Sequence, residues 1–381
     1  VTLFALSAVL VATVGMSLAR YAKVLARRTG LGQALTGALL LGGSTSLSGI
    51  TTSVTAAAGG HAELAASNAV GGIAAQTVFL AVADRVYSRA NLEHAAASDE
   101  NMIQGALLIA LLALTLLAVN TPPVSVLGVH PMSILLLVAY GFGQRLVYRA
   151  QGHDMWRPRL TEFTQREDTG EGHAEQDRSR ELGSERGPQQ DGKHNRKREP
   201  DKERERNLAP NRKRDRHGDR ADRWPLWRVW VMFGISAAFV GILGYVLANA
   251  GALLAQETGL NETVLGGLFT AISTSLPELV TAIAAVRIGA LTLAVSDIVG
   301  GNAFDMIFLA VADVAFREGS LYHAMGTRPA FLLNLTVLMT AVLLLGLLRR
   351  QKHGLWNMGF ESILLVLAYG AGFAVIVTTM G

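Results

Sequence analysis

The stretch "TSLPELVTAIAAVRIGALTLAVSDIVGGNAFDMIFLAVAD", residues 274–313, is apolar enough for two membrane-crossing helices, yet it sets a proline beside a glutamate and carries three aspartates. Sliding the chain by 229 residues lays it over "TSLSGITTSVTAAAGGHAELAASNAVGGIAAQTVFLAVAD", residues 45–84, with nineteen of forty positions identical and no gap. The same offset pairs "TGLGQALTG" (29–37) with "TGLNETVLG" (258–266), and "SILLLVAYGFG" (133–143) with "SILLVLAYGAG" (362–372). Chance apolar similarity does not hold register over so long a stretch. The chain is read as two copies of one unit.

Working outward, ten apolar segments stand at about 1–19, 33–58, 64–84, 103–120, 129–147, 226–249, 262–286, 291–313, 329–347 and 358–379. At 1.5 Å per helical residue each has roughly the length that crosses a hydrocarbon layer. Ten such helices would leave almost no polar face to meet water, which argues against a soluble all-helical domain. The first segment lacks a basic n-region and is followed by no polar mature domain, so it is expected to be a span rather than a signal peptide. The chain has no cysteine, which excludes disulfide or thiolate chemistry.

Basic residues follow span one (Arg20, Lys23, Arg27, Arg28), span three (Arg85, Arg89), span five (a long basic block) and span nine (Arg349, Arg350, Lys352). If the spans alternate, all four groups fall on one side, which the positive-inside rule makes cytoplasmic; Arg317 and Arg328 are minor exceptions. Five spans per unit is odd, so the second unit enters the membrane opposite to the first. The expected fold is an all-α polytopic membrane protein of ten transmembrane helices in two inverted five-helix repeats, residues 1–147 and 225–381. Both termini are expected outside, in a bacterial inner (plasma) membrane.

Between the repeats, residues 148–224 mix dense charge of both signs with Pro, Gly and Gln and have almost nothing to pack, as in a disordered cytoplasmic linker. Its Lys/Arg excess could contact anionic lipid or RNA, but a solvated spacer that also sets topology is the preferred reading, and no specific nucleic-acid partner is expected. Trp224, Trp227 and Trp230 stand around the start of span six, where indole rings favour the headgroup layer.

Charge inside the spans is expensive and usually faces a cavity, a partner or an ion. Glu278 is such a charge. Pro277 beside it frees the Ser273 carbonyl, Thr274 lies one turn earlier on the same face, and Ser275 adds a second hydroxyl if the helix is broken there. The competing reading is a proline kink with Glu278 paired to a base, but the spans hold almost no Lys or Arg. In span eight Asn302 and Asp305 share a face, while Gly300 and Gly301 permit close approach of another helix. Asp84 and Asp313, repeat-equivalent at span ends, are expected to be hydrated rather than to gate a vestibule. Asp297 suits either a helix cap or a functional role. His61, His94 and His323 fall in loops without metal-ligand spacing.

The first repeat departs from the second where this chemistry concentrates. Gly49 stands opposite Glu278, Ser48 opposite Pro277, Ile73 opposite Asn302 and Gln76 opposite Asp305, while Thr45 and Ser46 are kept. Two carboxylates with neutral oxygens suit one divalent or two monovalent cations, or a proton. No GxxxxGK[ST] loop or Rossmann context is present, so nothing supports ATP-driven pumping; secondary transport or a channel remains, and no enzymatic activity is expected.

These residues resemble a known family. "GLNETVLGGLFTAISTSLPELVTAI" (259–283) and "SDIVGGNAFDMIFLAVADV" (296–314) look like the second alpha repeat of the sodium/calcium exchanger family, within the cation/calcium exchanger superfamily, and the first half resembles its first alpha repeat. The resemblance implies ten helices in two inverted bundles joined by a cytoplasmic loop, and antiport of sodium or protons against calcium or another cation, with no covalently bound cofactor. It makes Glu278 and Asp305 the acidic ligands, Thr274 and Ser275 neighbouring oxygen donors and Asn302 the asparagine of the family's G-S-N segment, in which Gly301 replaces the serine. In the first repeat Thr45 and Ser46 match and Gln76 stands at an asparagine position, but Gly49 replaces an expected glutamate, which puts calcium specificity in question. A calcium antiporter, a proton-coupled or monovalent-cation exchanger and a transport-inactive sensor or scaffold are therefore the readings to separate.

Overall fold

In the computed structural model, residues 2–87, 92, 96–126, 128–150, 220–257, 270–349 and 358–379 are described. Most of the expected linker, the first part of the seventh expected span and His94 lie outside them. The chain divides into a unit of Val1–Gln165 with Leu226–Gly381 and a second unit, Arg166–Pro225, of which the 3-10 turn Arg220–Arg223 is described. All helices below belong to the first unit.

Helix α1 runs Thr2–Thr29 and ends on Arg27 and Arg28, cations that suit the negative end of the helix dipole. The second expected span is not one helix. It is divided into α2 (Gly32–Leu35), a π-helix (Thr36–Gly42), α3 (Gly43–Thr45) and α4 (Leu47–Ala58), with a turn at Ser46. The hydroxyls of Ser44 and Thr45 bond back to the carbonyls of Leu40, Leu41 and Gly42, the kind of competition with the helical ladder that bends a helix. Helix α5 follows (Ala62–Val86), then α6 (Asp99–Asn120) and α7 (Pro131–Ala150). Ser98 caps α6 by accepting the Asn101 N–H, and Asp99 and Glu100 occupy its first turn.

The second half repeats the pattern with α8 (Leu226–Glu257), α9 (Ala271–Arg287), α10 (Leu291–Ala315), a short α11 (Leu321–Ala324), α12 (Thr327–Arg349) and α13 (Phe360–Thr379). Its pivot helix α9 continues through Pro277 rather than breaking there, and Ser275, which stands opposite the turn at Ser46, is helical. The corners before α5 and α10 are the same motif. Gly60 (φ 81°) and Gly289 (φ 75°) take the left-handed conformation that closes a helix. The following amides, of His61 and Ala290, reach back to Ala56 and Ala285 at 2.9 Å. Each of these positions pairs with its counterpart at the 229-residue offset, and the glycines and the accepting alanines are identical.

Seven described helical stretches are long and apolar enough to cross a membrane: Ala5–Thr29, Ala62–Val86, Asp99–Asn120, Leu226–Val246, Leu291–Ala315, Thr327–Arg349 and Phe360–Thr379. The remaining three expected spans are the broken segment at 33–58, α7 with its Gln144, Arg145 and Arg149, and the segment that begins outside the described residues. The polarity of the fold is inside out relative to a soluble protein. Leu117, Val138, Phe142, Ile242, Leu345 and Leu367 lie exposed, while Asp84, Asp297, Asp313, Thr336, Thr340 and Glu361 are fully buried. Such a surface meets lipid rather than water, and the protein is an all-α polytopic membrane protein.

Helices α5 and α10 form the centre, buried over most of their length. Small residues allow it. The π-helical segment lies so close to α10 that a methyl group on Gly300 would come within 2.2 Å of Ala38 Cβ. At the edge, Arg328 of α12 pairs with Glu63 of α5 at 3.1 Å, both side chains part exposed. Arg328→Ala is expected to lower stability by about 0.5 kcal/mol or less, measurable as a nearly unchanged unfolding midpoint in detergent.

Candidate functional site

Glu278 sits in the middle of α9, 1% exposed, and Asp305 in the middle of α10, 2% exposed. The interruption of the first half brings Ser46 to them: its Oγ donates to Glu278 Oε1 at 3.1 Å. From α5, the Gln76 amide donates to Asp305 Oδ2 at 2.8 Å and to Ser275 Oγ at 3.2 Å, which ties three helices together. These five side chains and Thr274 line a chamber with room for about one water-sized particle.

The polar atoms left over define its chemistry. Glu278 Oε2, Asp305 Oδ1 and Gln76 Oε1 have no hydrogen-bond partner among the described residues. All three are acceptors. Among the described residues no basic side chain pairs with either carboxylate, and no group of three His, Cys, Asp or Glu is arranged to hold a metal ion. Buried acceptors without donors are costly unless a positive charge or a proton meets them, so the chamber suits a cation and repels an anion.

Two of the eight residues singled out from sequence lie elsewhere. Thr45 spends its hydroxyl on the carbonyls of Leu41 and Gly42, and Asn302 donates to Thr77 Oγ1 at 3.1 Å; neither lines the chamber. Thr274 lines it but donates to the Ala271 carbonyl at 3.0 Å. Asn68 was missed and does line it, donating to the Gly49 carbonyl at 3.1 Å and to Ser53 Oγ at 2.9 Å. Its signal was available in the sequence as a polar residue inside an apolar run, opposite Asp297 in the repeat. At Gly49, where a glutamate is expected, a Cβ would meet Phe308 Cε2 at 3.0 Å. The phenyl ring is packed against the point from which the missing side chain would start.

Three aspartates need correction. Asp297 is not a cap: it is the seventh residue of α10, fully buried, and its Oδ2 accepts from Thr281 Oγ1 at 2.6 Å. Asp84 and Asp313 are not hydrated at a border, since both are 0% exposed. Asp84 accepts from the amides of Leu92 (2.6 Å) and Gly359 (3.2 Å) and from Ser362 Oγ (3.0 Å). Asp313 accepts from the amides of Leu321 (3.0 Å) and His130 (2.8 Å) and from Ser133 Oγ (2.7 Å). Sequence hid this because the donors are mostly backbone amides, which any residue supplies. His323 lies in the short helix α11 rather than in a loop, and its Nε2 lies 2.6 Å from the Thr121 carbonyl oxygen.

Comparison with known proteins places the chain. It is 34% identical over 85 residues to the inner membrane protein YrbG of Escherichia coli (strain K12), a match covering 22% of this chain and 26% of that protein. It is 30% identical over 93 residues to the sodium/potassium/calcium exchanger 5 of Homo sapiens, covering 24% and 19% respectively. These matches span about a quarter or less of the relatives' own lengths. The solved structure of the sodium-calcium exchanger NCX_Mj superposes with a TM-score of 0.61 at 14% identity, covering 99% of this chain and 97% of that one, which establishes a common fold. The family profile described as sodium/calcium exchanger protein matches residues 1–144 and 228–378. The two matched blocks are the two halves that share the 229-residue repeat, and on this evidence the chain belongs to the sodium/calcium exchanger protein family.

Proposed function

We propose that the protein is a secondary active cation antiporter, in which a cation held by Glu278 and Asp305, with neutral oxygens from Gln76, Ser46, Ser275 and Thr274, is exposed alternately to the two sides of the membrane. The observation that carries this reading is the set of unpartnered acceptor oxygens around one small chamber at the crossing of α5, α9 and α10. A family of exchangers with the same fold supports it.

Alternating access is served by ten spans in two inverted repeats, residues 1–147 and 225–381, joined by a cytoplasmic linker at 148–224, with both termini outside the plasma membrane. The aspartate contacts support the inversion. If α5, α6 and α7 cross in alternation, α7 begins on the face where α5 begins, and Asp313 at the end of α10 meets that start. Helix α10 therefore ends where α5 begins. The Asp84 contacts at the start of α13 require the same arrangement from the other face.

Calcium and sodium are the first reading of the cargo. A proton or monovalent cation is the second, favoured by the phenyl ring of Phe308 at the place where a third carboxylate would enter: calcium prefers six to eight oxygens, often several of them carboxylates. Purified protein in proteoliposomes, loaded with labelled calcium under separately imposed sodium and proton gradients, tests both. Sodium-driven calcium flux supports the first reading; pH-driven cation flux insensitive to sodium supports the second. Absence of flux under every gradient sinks the antiporter and leaves a membrane sensor or scaffold.

A further inference from the structure

Asp84 and Asp313 are related by the same 229-residue offset as the halves, and so is every donor they meet among the described residues: Leu92 by Leu321, His130 by Gly359 and Ser133 by Ser362. Each aspartate closes a loop within its own half through the amide eight residues on. It also reaches across to the first turn of the last helix of the other half, at the start of α13 for Asp84 and of α7 for Asp313. The carboxylates lie at helix N-termini, where the dipole favours negative charge, and each gathers three donors, the arrangement that makes charge-assisted bonds strong. Among the described residues no basic side chain bonds to either, and at the Asp313 end the nearby imidazole is no exception. His130 Nδ1 accepts the Met132 amide at 3.2 Å.

Position along the helix links these contacts to the chamber. Gln76 stands eight residues before Asp84 and Asp305 eight residues before Asp313, about 12 Å along each axis. The Gln76–Asp305 bond is thus the point where α5 and α10 cross, and each helix is pinned beyond the crossing, at its C-terminal end, by its own aspartate. We propose that Asp84 and Asp313 are a matched pair of positioning residues that set the α5–α10 crossing, and through it the separation of the chamber's ligating side chains. The inference rests on the antiporter reading for its transport consequence alone; the geometric part stands apart from it.

The test uses Asp84→Asn and Asp313→Asn in the full chain. Asparagine keeps the shape but offers one acceptor oxygen to three donors. Each variant is expected to raise the half-saturating calcium or sodium concentration for flux about tenfold while changing the maximal rate less than twofold. The double variant is expected to match the worse single one, because either release frees the same crossing. Ser133→Ala and Ser362→Ala, which remove one bond each, should give smaller shifts of two- to threefold and serve if the aspartate variants fail to fold.

A second readout needs no transport. The chain has no cysteine, and a Cβ at position 72 lies 3.3 Å from Ser275 Oγ. A Gly72→Cys/Ser275→Cys pair reports on the packing of α5 against α9, and its oxidation is expected to slow about fivefold when Asp84→Asn or Asp313→Asn is added. Parent-like half-saturation together with a parent-like oxidation rate overturns the proposal, as does a shift that merely follows the unfolding midpoint. If the parent carries no flux, the antiporter reading falls and the oxidation rate alone decides the positioning role.

Discussion

Replacement of Glu278 by glutamine is expected to reduce cation flux about 100-fold while the chain remains folded. Glutamine has nearly the same size, and its carbonyl oxygen can still accept from Ser46 Oγ, so the contact between the first half and α9 persists. What it loses is the charge, and with it the ability of the second oxygen, which has no protein donor, to meet a cation. Interactions involving a charged group are worth about 1.5–3 kcal/mol, and the upper end of that range corresponds to roughly two decades in affinity. The measurement is the initial rate of labelled-ion flux in proteoliposomes at matched protein content. Flux equal to that of the parent removes Glu278 from the site.

Gly300→Ala should be the most destabilising single methyl in the described part of the protein. The added carbon would lie 2.2 Å from Ala38 Cβ, 2.8 Å from Ala38 Cα and 3.0 Å from Gln104 Oε1. Backbone on the π-helical side cannot rotate away as a long side chain can, so α10 must shift or the segment must unpack. Overpacking of this kind costs about 3 kcal/mol. Gly141→Ala is the control, because nothing lies within 4 Å of the new methyl, and alanine is favoured over glycine in a helix by about 1 kcal/mol. Thermal unfolding in detergent should therefore show the Gly300 variant lowered by several degrees and the Gly141 variant unchanged or raised. A parent-like midpoint for Gly300→Ala would show that the two segments are not held in close contact.

These two residues also mark how far the sequence could be read. Glu278 was identifiable because a carboxylate in hydrocarbon demands an explanation, and Gly300 because paired glycines in an apolar helix permit close approach. Neither reading names the partner. That Ser46 supplies the hydroxyl to Glu278, and that Ala38 is what Gly300 admits, depends on a first half interrupted by a π-helix and a turn, which no proline announces. The proline in the second half suggested a break, yet α9 runs through it.

The amino-acid sequence by itself determined the membrane class, the repeat of the two halves, the family and the two acidic residues, because each follows from local composition, register or the cost of charge in oil. Tertiary structure alone decided that Asn68 lines the chamber while Asn302 and Thr45 turn away, that Phe308 packs against Gly49, and that Asp84 and Asp313 are buried. The reason is physical. Polarity shows that a group needs a partner, but which partner it meets is set by how helices from distant parts of the chain cross, and an aspartate satisfied by backbone amides leaves no trace in its neighbours' identities.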